Sequence, residues 1–244
     1  MSPSRRPGAA PAMLVDRVVE LVAAARGRRV LHLGCTDWPY TAEADAAGTL
    51  VHRALARAAR ELVGIDRDVD GLAALAALGF DRLAVGDLED LSGARWWGAV
   101  PPGAADAADL GTYDVVIAGE VLEHLGAPRL LLEGVRPLLA PGGSLIVTVP
   151  NAYCAFRFAS YALSRRRGHG EPVHPDHVAY YSEQTVRLLL ERSGYVLDGV
   201  WFADLGRGHR SSAPRSWRVV NDVAVRWAPQ LADGLVVRCH RDDR

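Results

Sequence analysis

Short, nearly unbroken runs of Val, Leu and Ile alternate along the chain with segments of helical periodicity. The apolar runs fall at Arg29–Leu33, Glu61–Asp66, Arg82–Gly86, Tyr113–Ala118 and Ser144–Val149. Each has strand length, and none shows the apolar–polar alternation of a half-exposed strand. That is the pattern of parallel strands covered on both faces. Between them, apolar residues recur at helical spacing near Leu50–Arg60, Val69–Leu78 and Arg129–Leu139. Leu14, Val18, Leu21 and Val22 place another helix over Met13–Ala25, and Met1–Ala12 reads as a loose arm. Strand–helix alternation of this kind predicts a doubly wound α/β sheet with helices on both faces. The stretch "GARWWGAVPPGAADAADLG" (Gly93–Gly111) is rich in Gly, Pro and Ala and reads as an exposed loop.

The pattern changes after Pro150. Asn151–Arg167 is an apolar helix-like run ending in "SRRRGHG", and the polar loop "EPVHPDHVAYYS" follows. Ser182 is a good N-cap for a helix over Glu183–Ser193, and "YVLDGVWFADL" and "GLVVRCHR" read as two late strands. The chain is therefore expected to form one domain over 13–244. Its cofactor half is 13–150, and its substrate or lid half is 151–244.

Bulk composition narrows the function. Of 244 residues, 49% are hydrophobic and 23% charged, which suffices for a sizeable core. The formal net charge is -1, so no global field favours nucleic acid. The three cysteines are widely spaced with no CxxC pair, which argues against a disulfide framework or a structural zinc and fits a reducing cytoplasm. No apolar run is long enough to span a membrane.

The strand ends carry the chemistry. In open α/β sheets, ligands bind beyond the carboxyl ends of the strands, where strand order reverses. Gly34, Asp66, Asp87 and Glu120 follow the first four such strands. A carboxylate can accept from both hydroxyls of a ribose, which suits Asp66 in "VGIDRD"; Asp87 in "GDLEDL" is placed to accept from an adenine amino group. A dinucleotide site wants G-x-G-x-x-G so that amides can meet the pyrophosphate. Here Thr36, Asp37 and Pro39 follow Gly34. Acids around the crevice repel phosphates and favour a cationic nucleoside such as S-adenosylmethionine.

The segments "VLHLGCTD", "ELVGIDRD", "VGDLEDL", "YDVVIAGEVLEHL", "LLAPGGSLIVTVPN" and "HPDHVAYYSEQTVRLLLERSGY" resemble the class I S-adenosylmethionine-dependent methyltransferases. The likeness is to a small-molecule branch similar to the ubiquinone-biosynthesis O-methyltransferases. It implies a Rossmann-like sheet of seven strands, the last antiparallel. It also implies that Gly34, with Cys35 beside it, meets the methionine part. Asp66 and its neighbour Arg67 go to the ribose, Asp87 and Leu88 to the adenine, and Glu120 to the floor beside the methionine. The family has an acid where this chain has His32 and a glycine where it has Thr36. Asp37 is the candidate replacement partner for the methionine amino group.

Methyl transfer to oxygen or nitrogen also needs a proton acceptor. His124 in "EVLEHL" is either that base or a packing residue. His177 in "HPDHVAYYS" is either a base or a loop-ordering hydrogen-bond partner. Glu120 and Glu123, one turn apart, are an acid pair or, for Glu123, a helix N-terminal charge. His174, Asp176 and His177 make a weak metal signal without a fourth ligand, so no metal is expected. "NAYCAFRFASYALSRRR" is a lid over a hydrophobic acceptor, or a packing surface for the core or a homodimer. Arg207, Arg210, Arg215 and Arg218 are candidates for an anionic acceptor. The expected activity is methylation of a small molecule, O ahead of N or C, in secondary metabolism or on a sugar or glycan precursor. A degenerate, non-catalytic partner subunit is the alternative.

Overall fold

The computed structural model describes residues 14–98, 110–164, 176–204 and 215–243. The arm at 1–12, most of the Gly–Pro–Ala stretch, His174, Arg207 and Arg210 lie outside these residues. The chain begins with β1 (Leu14–Asp16), α1 (Arg17–Ala25) and β2 (Arg29–Leu33), followed by α2 (Thr41–Ala46), α3 (Val51–Ala58) and β3 (Glu61–Asp66). Next come α4 (Val69–Ala77), β4 (Leu83–Asp87), β5 (Asp90–Trp96), β6 (Tyr113–Gly119), α5 (Pro128–Val135) and β7 (Leu139–Pro150). The last elements are α6 (Ala155–Ser164), α7 (Glu183–Arg192), β8 (Tyr195–Asp204), α8 (Arg215–Trp227) and β9 (Gly234–Arg241).

One sheet of nine strands runs in the order β1-β8-β9-β7-β6-β2-β3-β4-β5. β9 is antiparallel to both β7 and β8. Seven strands form the expected doubly wound core, and β1 and β5 extend its two edges. β1 pairs in parallel with β8 through three residues, where the sequence pattern predicts the start of a helix. β5 pairs antiparallel with β4, so Gly93–Trp96 belong to a strand rather than to the expected loop. Its buried positions Leu91 and Ala94 anchor it, and Gly86 lies so close to Ala94 that a Cβ there would come within 2.9 Å of the alanine's.

Side-chain alternation on β6 shows how the two faces are covered. Val115 and Ile117 pack with Leu21, Ala25 and Leu55 of α1 and α3. Val116 and Ala118 pack with Leu131, Leu132 and Val135 of α5 and with Val186 and Leu190 of α7. The helix starts are chemically marked. Asp16 caps α1 by accepting from the Val19 amide at 3.0 Å, and Asp68 caps α4 by accepting from the Asp70 and Gly71 amides. Ser182 caps α7 as expected: its Oγ accepts from the Thr185 amide, and Thr185 Oγ1 accepts from the Ser182 amide at 2.8 Å. Loss of such a reciprocal cap costs about 1 kcal/mol. Ser182→Ala is therefore expected to lower the urea midpoint without changing the m-value, as read by circular dichroism.

Among the described residues, no helix is long and apolar enough to cross a membrane.

Candidate active site

β2 pairs with β3 on one side and β6 on the other, both in parallel. The chain moves outward from β2 through β3 and β4 and returns to β6, so the switch point opens between the carboxyl ends of β2 and β6. Gly34 ends β2 with φ +68, and a Cβ there would meet Val121 Cγ2 at 2.6 Å. The two sides of the switch point thus touch through a glycine.

Cys35 is buried, and its amide donates to the Ile65 carbonyl at 3.2 Å. Burial, and next the Asp66 charge, hold its thiol well above the usual range, so it is an inert packing group. Asp37 is exposed on the following loop, and Arg67 is exposed after β3. Asp87 is exposed at the end of β4, while Leu88 is buried in the core. The turn after Asp87 is tied across the crevice, because Glu89 accepts from the Ala127 amide beyond β6.

His32 stands near the carboxyl end of β2, where the family has an acid. It is buried and stacks on His52 of α3, with ring centroids 5.4 Å apart and the two Nδ1 atoms at 3.1 Å. Burial, helped by Arg17, lowers its pKa to about 4, so the pair is neutral at pH 7.

Glu120 is the one described non-glycine residue with positive φ, at 55. Such a backbone costs roughly 1 kcal/mol or more and is held by its surroundings. The Glu120 amide donates to the Thr148 carbonyl at 2.9 Å, and Thr148 Oγ1 donates to Glu120 Oε1 at 2.9 Å. Arg17 Nη1 lies 3.5 Å from the same oxygen. Sequence reasoning missed Arg17, which comes from the first turn of α1, far away in the chain.

Glu123 is the larger surprise. It sits in a single 3-10 turn, Leu122–His124, and is fully buried, as one of an acid pair with Glu120 rather than as the N-terminal charge of a longer helix. No described donor reaches either carboxylate oxygen, and the side chain lies within hydrogen-bonding reach of the Glu120 carboxylate. Burial, and next the charge of Glu120, raise its pKa to about 8. The loop from the second half is stitched over this turn. The Val178 and Ala179 amides donate to the Glu123 carbonyl, and Tyr181 Oη donates to the Leu122 carbonyl.

That stitching brings the two sequence-predicted histidines together. His124 and His177 meet edge to face with centroids 4.6 Å apart, and His124 Nδ1 donates to the Asp176 carbonyl at 3.2 Å. In the neutral ring this leaves the lone pair on Nε2. Glu123, His124 and His177 each offer a ligand atom, all within 4.8 Å of one another. A polar cluster with a titrating carboxylate therefore stands at the end of β6, beside Glu120. The signal for it was in the sequence as acids at i and i+3 directly after a buried strand.

Comparison with known proteins bears on the family and the fold. A methyltransferase domain family matches residues 9–199. The ubiquinone biosynthesis O-methyltransferase of Psychrobacter arcticus is 29% identical over 125 residues, 51% of this chain and 42% of that one. The matched part thus spans less than half the length of that relative. A SAM-dependent methyltransferase from Archaeoglobus fulgidus superposes with TM-score 0.54 at 16% identity, covering 91% of this chain and 90% of the other. The N-methyltransferase NodS from Bradyrhizobium japonicum, solved with S-adenosyl-L-homocysteine, does so with TM-score 0.50 at 16% identity, covering 93% and 85%. Fold, motif order and family match converge: this chain belongs to the methyltransferase domain family, the class I group that its motifs resemble.

Proposed function

We propose that the protein transfers a methyl group from S-adenosylmethionine to a hydroxyl of a small-molecule acceptor, in secondary metabolism or on a sugar or glycan precursor. The observation that carries this reading is the polar cluster of Glu123, His124 and His177 beside Glu120 at the switch point, in which burial pushes the Glu123 carboxyl up to about 8. In the reaction, the acceptor oxygen forms a bond to the methyl carbon as the carbon–sulfur bond breaks. The sulfonium leaves as a neutral thioether, and the acceptor's proton passes to a base. A group whose pKa lies near the working pH is best suited to take it. Glu123 meets that condition, with His124 and His177 beside it. Gly34, Cys35 and Asp37 border the methionine end of the cofactor, Asp66 and Arg67 the ribose, Asp87 and Leu88 the adenine, and Glu120 the floor beside the methionine. The O-methyltransferase named among the relatives favours oxygen over nitrogen as the acceptor atom.

The test is thermal unfolding with S-adenosylmethionine and S-adenosylhomocysteine. At a hundredfold excess over Kd, a ligand adds about 2.7 kcal/mol and raises Tm by several degrees. Both compounds are expected to do so, and NAD is not. No shift at millimolar ligand would instead favour the non-catalytic partner subunit.

One observation supports a second reading, in which a divalent cation joins the site. The oxygens of Glu123, which no described donor reaches, and the nearby ligand atoms of His124 and His177 suit a metal that takes mixed nitrogen and oxygen ligands, such as Mn2+ or Zn2+. Such an ion polarises an acceptor hydroxyl and eases loss of its proton. Because Glu123 holds a proton below pH 8, binding would release it. Titration calorimetry of Mn2+ in two buffers of different ionisation enthalpy reads that proton. Glu123→Gln is expected to abolish both binding and release.

A further inference from the structure

We propose that Thr36 is a latch on the cofactor site: its hydroxyl occupies the carboxylate of Asp66 and must be displaced before a ribose can bind there. This rests on the proposed use of S-adenosylmethionine, and it concerns a residue at which the chain departs from its family.

Asp66 is 8% exposed, and its carboxylate is already engaged on both oxygens. Oδ2 accepts from the Thr36 amide at 3.0 Å and from Thr36 Oγ1 at 2.9 Å, and Oδ1 accepts from the Asp68 amide at 3.0 Å. A carboxylate offers about four acceptor positions. Three are filled, and a ribose brings two donors. One of the three bonds must therefore break for a two-hydroxyl contact to form.

The Thr36 hydroxyl is the bond that can break. The Thr36 and Asp68 amides belong to the backbone of the loops after β2 and β3, and their loss would leave unpaired donors. A hydroxyl rotates and finds water. The fit around it is close. A Cβ at Gly71, in the first turn of α4, would stand 2.7 Å from Thr36 Cβ and 2.9 Å from Oγ1. Threonine at 36 and glycine at 71 thus pack as a matched pair, and the side chain is directed at Asp66 and α4. Asp68 closes the unit by capping α4. The latch ties three elements together, and ribose binding exchanges one of its bonds for one to the cofactor.

The test compares Thr36→Val, which keeps the shape but removes the hydroxyl, with Thr36→Ser, which keeps the hydroxyl. Kd is measured by calorimetry for S-adenosylhomocysteine and for its 2′,3′-dideoxy analogue. One net hydrogen bond corresponds to about a three- to tenfold change in affinity. Thr36→Val is expected to tighten S-adenosylhomocysteine by about that factor and to leave the dideoxy analogue unchanged; Thr36→Ser is expected to match the wild type. Equal affinity of the wild type and Thr36→Val for S-adenosylhomocysteine overturns the latch alone. So does an equal gain for both ligands, since it makes the effect general loosening. Failure of all three proteins to bind S-adenosylhomocysteine overturns both the latch and the proposed cofactor.

Discussion

Replacing Glu123 by glutamine is expected to stabilise the protein at pH 8 by roughly 3 kcal/mol and to change it far less at pH 5. The sign follows from the proton balance. The carboxyl has a pKa near 4.5 in an unfolded chain and about 8 in the folded one. Below pH 4.5 both states hold the proton, and the group adds no pH dependence. Between 4.5 and 8 the unfolded state ionises while the folded state keeps its proton, so stability falls as pH rises. Above 8 both are ionised and the full cost stands. A window that wide corresponds to several kcal/mol at about 1.4 kcal/mol per unit, and sharing of charge with Glu120 reduces it. Urea midpoints of both proteins at pH 5, 6.5 and 8 read the effect. Parallel pH dependences would show that Glu123 does not retain its proton in the folded state. The same substitution removes the proposed base. With a working acceptor, turnover is expected to fall by about 10²–10⁴, and the wild-type rate to climb with pH until Glu123 has ionised.

The sheet was far more legible in the sequence than the site. β2 and β3 occur over the residues that their apolar runs predict, because strands buried on both faces cannot substitute polar residues without cost. The edges gave weaker signals. β1 has three residues and no period to read, and β5 hides its buried Leu91 and Ala94 among Gly93 and polar neighbours in a segment that reads as loop. α8 falls in a stretch for which the sequence pattern alone assigns no element. At the site, strand-end logic located Gly34, Asp66 and Glu120 at carboxyl ends. What it could not supply was direction. Position 36 reads as a departure from the family's glycine, and only the structure shows that the threonine turns its hydroxyl toward Asp66. Glu123 reads as one of an acid pair or as a helix N-terminal charge, and what buries it is a loop whose Val178 and Ala179 amides bond to its carbonyl from 55 and 56 residues away. Both depend on tertiary neighbours that no local pattern encodes.

The glycine between β2 and the crevice is where backbone and packing demands coincide, and Gly34→Ala is expected to cost about 3 kcal/mol. A left-handed φ of +68 charges an alanine roughly 1–2 kcal/mol, and the new methyl group would start 2.6 Å from Val121 Cγ2, an overlap worth another 1–3. The two contributions can be separated. Val121→Ala alone opens a small space at a 5% exposed position and is expected to cost about 1–2 kcal/mol. In that background the overlap is gone and only the backbone strain remains, so adding Gly34→Ala is expected to cost about 1.5 kcal/mol. Urea unfolding of the four proteins of this cycle measures the difference. If the alanine costs the same in both backgrounds, Val121 does not press on Gly34, and the contact that closes the switch point is absent. The double variant also separates stability from ligand binding: once folded, it keeps the Thr36–Asp66 unit intact while the turn at the methionine end carries a side chain. Any fall in its affinity for S-adenosylhomocysteine then reports the approach of that ligand to residue 34, independently of the ribose.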